Sequence, residues 1–366
     1  MNDHLLYLST VPFESALRIP CLPESHACHP LHGHSYYARI RAKLPLGWQG
    51  FIGGETVALT QALTQGVAPL DYRLLNDHMT NPTDENLARW LWKRLAIPGL
   101  ESVGIQSTRQ TGADLDGLDS AHIWRKFRFE AAHQLPNVGP GHPCGRMHGH
   151  GFEVILHSNQ TLEGREMGVD FDRLAELWQP LQIQLHNHCL NDIPGLENPT
   201  SEVLAAWIWQ QIKPQLDELS WVTVYETTTA GCNYDGKRFR IWKERRFESA
   251  LQLQKAPGSD VRRQLHGHSY LVRLHLCAPL DAVMGWTVDY GEVKEIFQPL
   301  YKLLDHRQLN NLPGIADADL SSILHWIKAN MADKLPQLDR IDLYESPGCG
   351  ATLCWGEEGP ILPDLG

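Results

Sequence analysis

His148 and His150 flank a single glycine in "CGRMHGHGF" (144–152), and His133 stands upstream in "FEAAH" (129–133). Residues i and i+2 of a strand project to one face, so both imidazoles of the triplet can reach one ion. A neighbouring strand that carries His133 would bring a third nitrogen. Three neutral imidazoles with one position left open describe a catalytic zinc site, whereas a structural site is closed by a fourth ligand. Cys144, four residues before His148, adds a thiol beside such an ion, where a thiolate can take a proton from carbon. Without a third histidine the same triplet is a turn whose imidazoles satisfy hydrogen bonds.

The triplet occurs three times, in "LHGHSY" at 31–36, "MHGHGF" at 147–152 and "LHGHSY" at 265–270. Other segments repeat in the same order. "FESA", "FEAA" and "FESA" begin at residues 13, 129 and 247, and "LLNDH", "CLNDI" and "QLNNL" begin at 74, 189 and 308. "NPTDENLARWLWKRL" (81–95) and "NPTSEVLAAWIWQQI" (198–212) have a weaker counterpart in "ADLSSILHWIKANM" (318–331). Ordered matches over the whole length mark a tandem triplication. Only the second unit holds a complete constellation. The place of His133 is taken by Leu17 in the first unit and Leu251 in the third, and Arg262 stands where unit three would need its cysteine. His32, His34, His266 and His268 are therefore read as turn or interface residues.

Each unit must supply strands to hold these groups. After the first triplet Ala38, Ile40, Ala42 and Leu44 alternate with Arg39, Arg41 and Lys43, the period of a half-buried strand. Asn198 or Thr200 can cap a helix with Pro199 in its first turn, and Val203, Leu204, Trp207, Ile208 and Ile212 share one face of it. A closing strand follows in "VGIQST" (103–108), "VTVYET" (222–227) and "IDLYES" (341–346). The fold class is α+β with antiparallel pairing, in three units spanning 1–122, 123–243 and 244–366. The joins, near residues 122 and 243, do not read as flexible linkers.

Composition agrees with a globular protein of two or three domains: 366 residues, 42% hydrophobic and 20% charged. No apolar run is long enough to cross a bilayer, and the start carries no export signal. A net charge of −11 without a basic cluster argues against a nucleic-acid partner. The 8 cysteines form no CxxC pair, which suits reduced thiols and a cytoplasmic location.

"FEAAH", "CGRMHGHGF", "LNDIPGLENPTSEVLAAWIW" and "YETTTAGC" resemble the bacterial 6-carboxytetrahydropterin synthases, relatives of 6-pyruvoyltetrahydropterin synthase. The resemblance covers nearly all of residues 123–243 and, more distantly, both outer units. It implies the T-fold, an antiparallel four-stranded sheet with two helices on one face, and a pseudo-trimeric barrel made by one chain. A homodimer would restore a six-unit assembly. It also implies a zinc-dependent lyase. The substrate would be 7,8-dihydroneopterin triphosphate and the pterin product 6-carboxytetrahydropterin, with acetaldehyde and triphosphate released, on the route to queuosine precursors. The compact Cys-x-x-x-His-Gly-His spacing suits the carboxy branch. A pyruvoyl-forming lyase and a pterin-binding protein without turnover are the alternatives.

The same resemblance makes His133, His148 and His150 the zinc ligands and Cys144 the base. Glu226 in "YETT" is the pterin anchor, with Glu345 in "LYES" as the other possibility and Gln106 of "IQST" at that place in unit one. The family's Asp-His proton shuttle is missing from unit two, where "LHNHCLN" places His186 and Asn187. Unit one has Asp71 and Tyr72, and unit three has both Asp305 and His306. The expectation is one composite site, with zinc, Cys144 and Glu226 from unit two and Asp305 and His306 from unit three. The other source of a shuttle is His186 or His188. Arg146 lies close to the Cys motif, but an exposed loop arginine is its simpler reading.

Overall fold

Alternation after each triplet does produce strands, and the strands of all three units join in one wall. A computed structural model describes residues 3–117, 120–160, 168–315, 317–356 and 359–360. Unit one comprises β1 (His4–Leu17), β2 (His32–Ala42), α1 (Glu55–Val67), α2 (Asp84–Trp92), β3 (Leu100–Gln106) and β4 (Thr111–Gly117). Unit two repeats this order as β5 (Ser120–His133), β6 (His148–Gln160), α3 (Phe171–Leu185), α4 (Ser201–Ile212), β7 (Leu219–Thr227) and β8 (Ala230–Tyr234). Unit three follows with β9 (Phe239–Leu251), β10 (His266–Cys277), α5 (Tyr290–Leu304), α6 (Leu320–Met331), β11 (Leu338–Ser346) and β12 (Cys349–Cys354).

Neighbouring strands in each unit pair antiparallel in chain order. β4 then pairs with β5, β8 with β9, and β12 with β1, so the sheet closes into a barrel of twelve strands. Closure removes every free sheet edge except the short strand ends. The expected joins at 122 and 243 fall inside β5 and β9. The units therefore meet as hairpins within the wall.

The period of two divides each strand between two environments. In unit two Phe152, Val154 and Leu156 of β6 face Leu174, Leu177, Trp178, Leu181 and Leu185 of α3 and Leu204, Ile208 and Ile212 of α4. Each such side chain, fully buried, contributes roughly 1.5–3 kcal/mol. Thr200 is the residue that caps α4, accepting from the Val203 amide at 3.1 Å. The opposite face turns into the barrel and is largely polar. Arg39 reaches Asp114 at 2.8 Å, and Asp342 accepts from Arg340 at 2.7 Å and His275 at 2.9 Å. Trp124, Ile155, Tyr225 and Trp242 form an apolar belt inside the barrel between units two and three. Among the described residues no helix is long and apolar enough to cross a membrane.

Candidate metal centre and active site

β5 and β6 pair in a register that sets His133 opposite His148, so the end of one strand and the head of the next bring three imidazoles together. Ring centroids lie 4.5 Å apart for His133 and His148, 5.1 Å for His133 and His150, and 4.9 Å for His148 and His150. Glu226, the penultimate residue of β7, joins them. Its Oε1 lies 3.8 Å from His133 Nε2 and 3.6 Å from His150 Nε2. One ligand atom from each of these four residues falls within 4.8 Å of all the others. No other group of three or more such residues meets that limit among the described residues.

The hydrogen bonds around the imidazoles suit a cation. His133 Nδ1–H donates to the Pro199 carbonyl at 3.1 Å and His148 Nδ1–H to that of Arg146 at 2.7 Å. Both bonds leave Nε2 with its lone pair turned inward, the usual second layer of a histidine metal site. His133 Nε2 is buried and has no hydrogen-bond partner, an arrangement that costs about 1–3 kcal/mol unless an ion fills it. Burial pushes His133 down to about 4 and lowers His150, so both are neutral ligands at pH 7. Burial, with Glu202 nearby, pushes Glu226 up to about 7. That carboxylate thus calls for a cation or hydrogen-bond donors. The donor set fits zinc.

Beside the cluster a cavity of about 460 Å³ opens between units two and three. Unit two contributes Cys144, Glu202 and Glu226 to its lining, and unit three contributes Trp286, Val288, Asp289, Tyr290, Glu292 and Glu295. α4 holds the units together from its N-terminus. The Asn198 side chain donates to Met284 O at 2.7 Å, Ser201 and Tyr290 share a 2.7 Å bond, and Glu202 accepts from Thr287 N at 2.8 Å. Burial, then Glu226 and Asp289, raises the Cys144 thiol above its usual range. The protein alone therefore keeps it protonated at neutral pH.

The structure does not bring Asp305 and His306 to this cavity. Tyr290 at the N-terminus of α5 lines the cavity, whereas Asp305 caps the C-terminus. A helix of that length separates them by about 22 Å. The composite site within one chain is corrected on this point. His186 and His188 do not line the cavity either; they sit beside Glu130 and Ala131 on the first strand of their own unit. Glu345 lies at the junction of units three and one, where Thr56 Oγ1–H donates to it at 2.7 Å. Arg262, over the Phe51 ring at 4.6 Å, also packs there. Arg146 is exposed and serves the site through its carbonyl.

Gln106 is corrected as well. Tyr37 pairs with Gln106 and the equivalent Glu153 pairs with Tyr225, so Ser107 takes the place of Glu226. A shift of one residue reverses the face, and Gln106 turns away from the helices. Cys28 went unmarked although it stands four residues before His32, the spacing of Cys144 to His148. His142 and Glu202 did carry a repeat signal, since His26 stands at the same distance before Cys28 and Glu85 at the same distance after Asn81.

A family model described as 6-pyruvoyl tetrahydropterin synthase matches residues 9–115, 122–237 and 240–354. The chain belongs to the 6-pyruvoyl tetrahydropterin synthase family. Among its relatives, the 6-carboxy-5,6,7,8-tetrahydropterin synthase of Synechocystis is 38% identical over 123 residues, 32% of this chain and 94% of that protein. The dihydroneopterin monophosphate aldolase of Pyrococcus furiosus is 28% identical over 112 residues, 30% of this chain and 95% of that protein. The solved 6-pyruvoyl tetrahydropterin synthase of Caenorhabditis elegans is 16% identical, with a TM-score of 0.28, and covers 31% of this chain and 92% of that one. Three family units in one covalent chain agree with the closed twelve-strand barrel, each unit supplying four strands and two helices.

Proposed function

We propose that the chain is a zinc-dependent lyase that converts 7,8-dihydroneopterin triphosphate and one water into 6-carboxy-5,6,7,8-tetrahydropterin, releasing acetaldehyde and triphosphate, in the supply of queuosine precursors. One observation carries this reading: His133, His148, His150 and Glu226 converge beside a cavity that also holds Cys144. Zinc bound there would polarise the side-chain hydroxyls of the substrate and offset the carboxylates that keep Cys144 protonated. Cys144 then accepts the carbon-bound proton. Glu226, or part of its carboxylate, accepts from the amino-pyrimidine edge of the pterin.

The proton shuttle in this reading is Asp305–His306 of a second chain. The His306 side chain is 78% exposed, with Asp305 Oδ2 at 3.0 Å from its Nδ1. It projects from the barrel end that carries the triplets, since its amide donates to Glu248 O near the end of β9. The residue before each triplet is apolar and exposed at that end, Leu31 at 67%, Met147 at 52% and Leu265 at 59%. A homodimer closed over this end would cover all three.

The test is to incubate the zinc-loaded protein with 7,8-dihydroneopterin triphosphate and identify the products by mass. Acetaldehyde with a 6-carboxy pterin is expected; a pyruvoyl pterin, or unchanged substrate with zinc bound, overturns the assignment. Mixing Cys144→Ala and His306→Ala chains tests the shuttle. Each alone should lose about a hundredfold or more in turnover, and reassorted dimers should regain activity. A mixture as inactive as its components sinks the two-chain site.

One observation favours a second reading. The cavity lining contains five carboxylates, Glu202, Glu226, Asp289, Glu292 and Glu295, and neither lysine nor arginine. Such a lining opposes a triphosphate more than a monophosphate. Aldol cleavage of a dihydroneopterin monophosphate is therefore the competing activity, and offering both substrates to one preparation separates the two.

A further inference from the structure

His142 precedes the short turn that carries Cys144 and touches both sides of the junction between units two and three. Its Nδ1 accepts from the Cys144 amide at 3.2 Å. The proton must then sit on Nε2, which donates to Asp289 Oδ2 of unit three at 3.2 Å. Asp289 is itself fixed, because its Oδ1 caps α5 by accepting from the Gly291 amide at 2.6 Å. One neutral imidazole thus ties the backbone of Cys144 to the first turn of a helix in the next unit. Trp286, with its ring centroid 6.0 Å from that of His142, flanks it.

The other two junctions provide internal controls. Between units one and two a similar bridge occurs: the Cys28 amide donates to His26 Nδ1 at 3.0 Å and His26 Nε2 donates at 2.9 Å to Asp172, two residues beyond Asp170, the cap that corresponds to Asp289. Between units three and one the bridge is absent. Asp260 replaces the histidine and is engaged by Arg262 at 2.9 and 2.7 Å, while Glu55, at the place of Asp289, accepts instead from the Gly47 and Gly53 amides at 2.7 Å. The two junctions that keep a cysteine have a His–Asp bridge, and the junction that lost its cysteine has none.

We infer that His142 and Asp289 form a latch across the junction that positions Cys144 over the cavity, so that its placement depends on the docking of unit three. The inference deepens the reading above, since it takes Cys144 as the group to be placed. Its test uses no substrate, so a wrong substrate leaves it intact. The rate at which iodoacetamide alkylates Cys144 in the full, zinc-loaded chain is followed by peptide mass spectrometry, with Cys28 as the internal reference. Asp289→Ser keeps a helix cap but is too short to reach His142, and Asp289→Asn keeps the cap through its one oxygen while turning an NH2 group against the His142 Nε2–H. His142→Ala and Asp289→Ser should each speed alkylation of Cys144 about fivefold or more, the effect of releasing one hydrogen bond. The double variant should do no more than either alone. Asp289→Asn should behave like Asp289→Ser, and Cys28 should not respond in any variant. Rates at Cys144 within about twofold of wild type, or an equal acceleration at Cys28, would overturn the latch.

Discussion

A single side chain separates the second unit from its neighbours. His133 ends β5 fully buried, and Leu17 and Leu251, its counterparts, are buried as well. The position accepts leucine without loss of fold, so His133→Leu should leave the barrel intact. Zinc measured by atomic emission should drop well below the about one per chain expected of the wild type, because leucine removes one of the three imidazoles. His148 and His150 were legible in the sequence because strand spacing puts them on one face, and His133 joins them through the pairing of β5 with β6. Gln106 was misplaced because a motif of four letters does not reveal strand register, and the ladder decides it. The pairing of His142 with Asp289 could not be found, since the two lie far apart in sequence and only closure of the barrel brings them together.

At the scale of elements, the turn from the first helix of each unit back to its first strand explains what the altered Asp-His motif still does. Its first residue accepts from a strand amide in every unit: Asp71 from Glu14 at 2.9 Å, His186 Nδ1 from Glu130 at 3.1 Å, and Asp305 from Glu248 at 3.0 Å. Its second residue adopts a left-handed backbone, with φ of 53° at Tyr72, 62° at Asn187 and 54° at His306. Asparagine tolerates that conformation far better than tyrosine or histidine. Unit two has thus kept the turn and dropped the chemistry, a distinction invisible when the motif is read for proton transfer alone. Tyr72→Asn should stabilise the chain by about 0.5–1 kcal/mol, seen as a higher urea midpoint with unchanged activity. His306→Asn should give a similar gain in stability while turnover falls about a hundredfold. Equal activity would show that His306 serves only the turn.

The whole molecule stores its polar groups inside the barrel, and this sets its response to acid. Burial holds His157, hydrogen-bonded to Thr223 at 2.9 Å, down to about 3, and His275 likewise. The unfolded chain takes up these protons below about pH 6.5 while the native barrel refuses them until about pH 3. The stability these two histidines contribute is therefore complete above pH 6.5 and declines as the pH falls through that window. His157 alone accounts for about 2 kcal/mol by pH 5. Between pH 7 and 5, urea unfolding of His157→Gln should lose less stability than the wild type by about that amount. The triplication, the α+β units and the strand after each triplet could be read from repeats and period. The burial of arginines and histidines on the inner face could not, because alternation marks which residues share a side but not whether that side meets water or a closed interior. Closure has one more consequence. β1 and β12 are neighbours, with His4 paired to Cys354, while β8 and β9 are joined only by a tight turn at Gly236 with φ of 89°. A circular permutant that joins residues 366 and 1 through a flexible linker and opens the chain after Gly236 should fold to the same barrel. It would form the same histidine cluster and the same cavity, with the two units that line that cavity at opposite ends of the polypeptide.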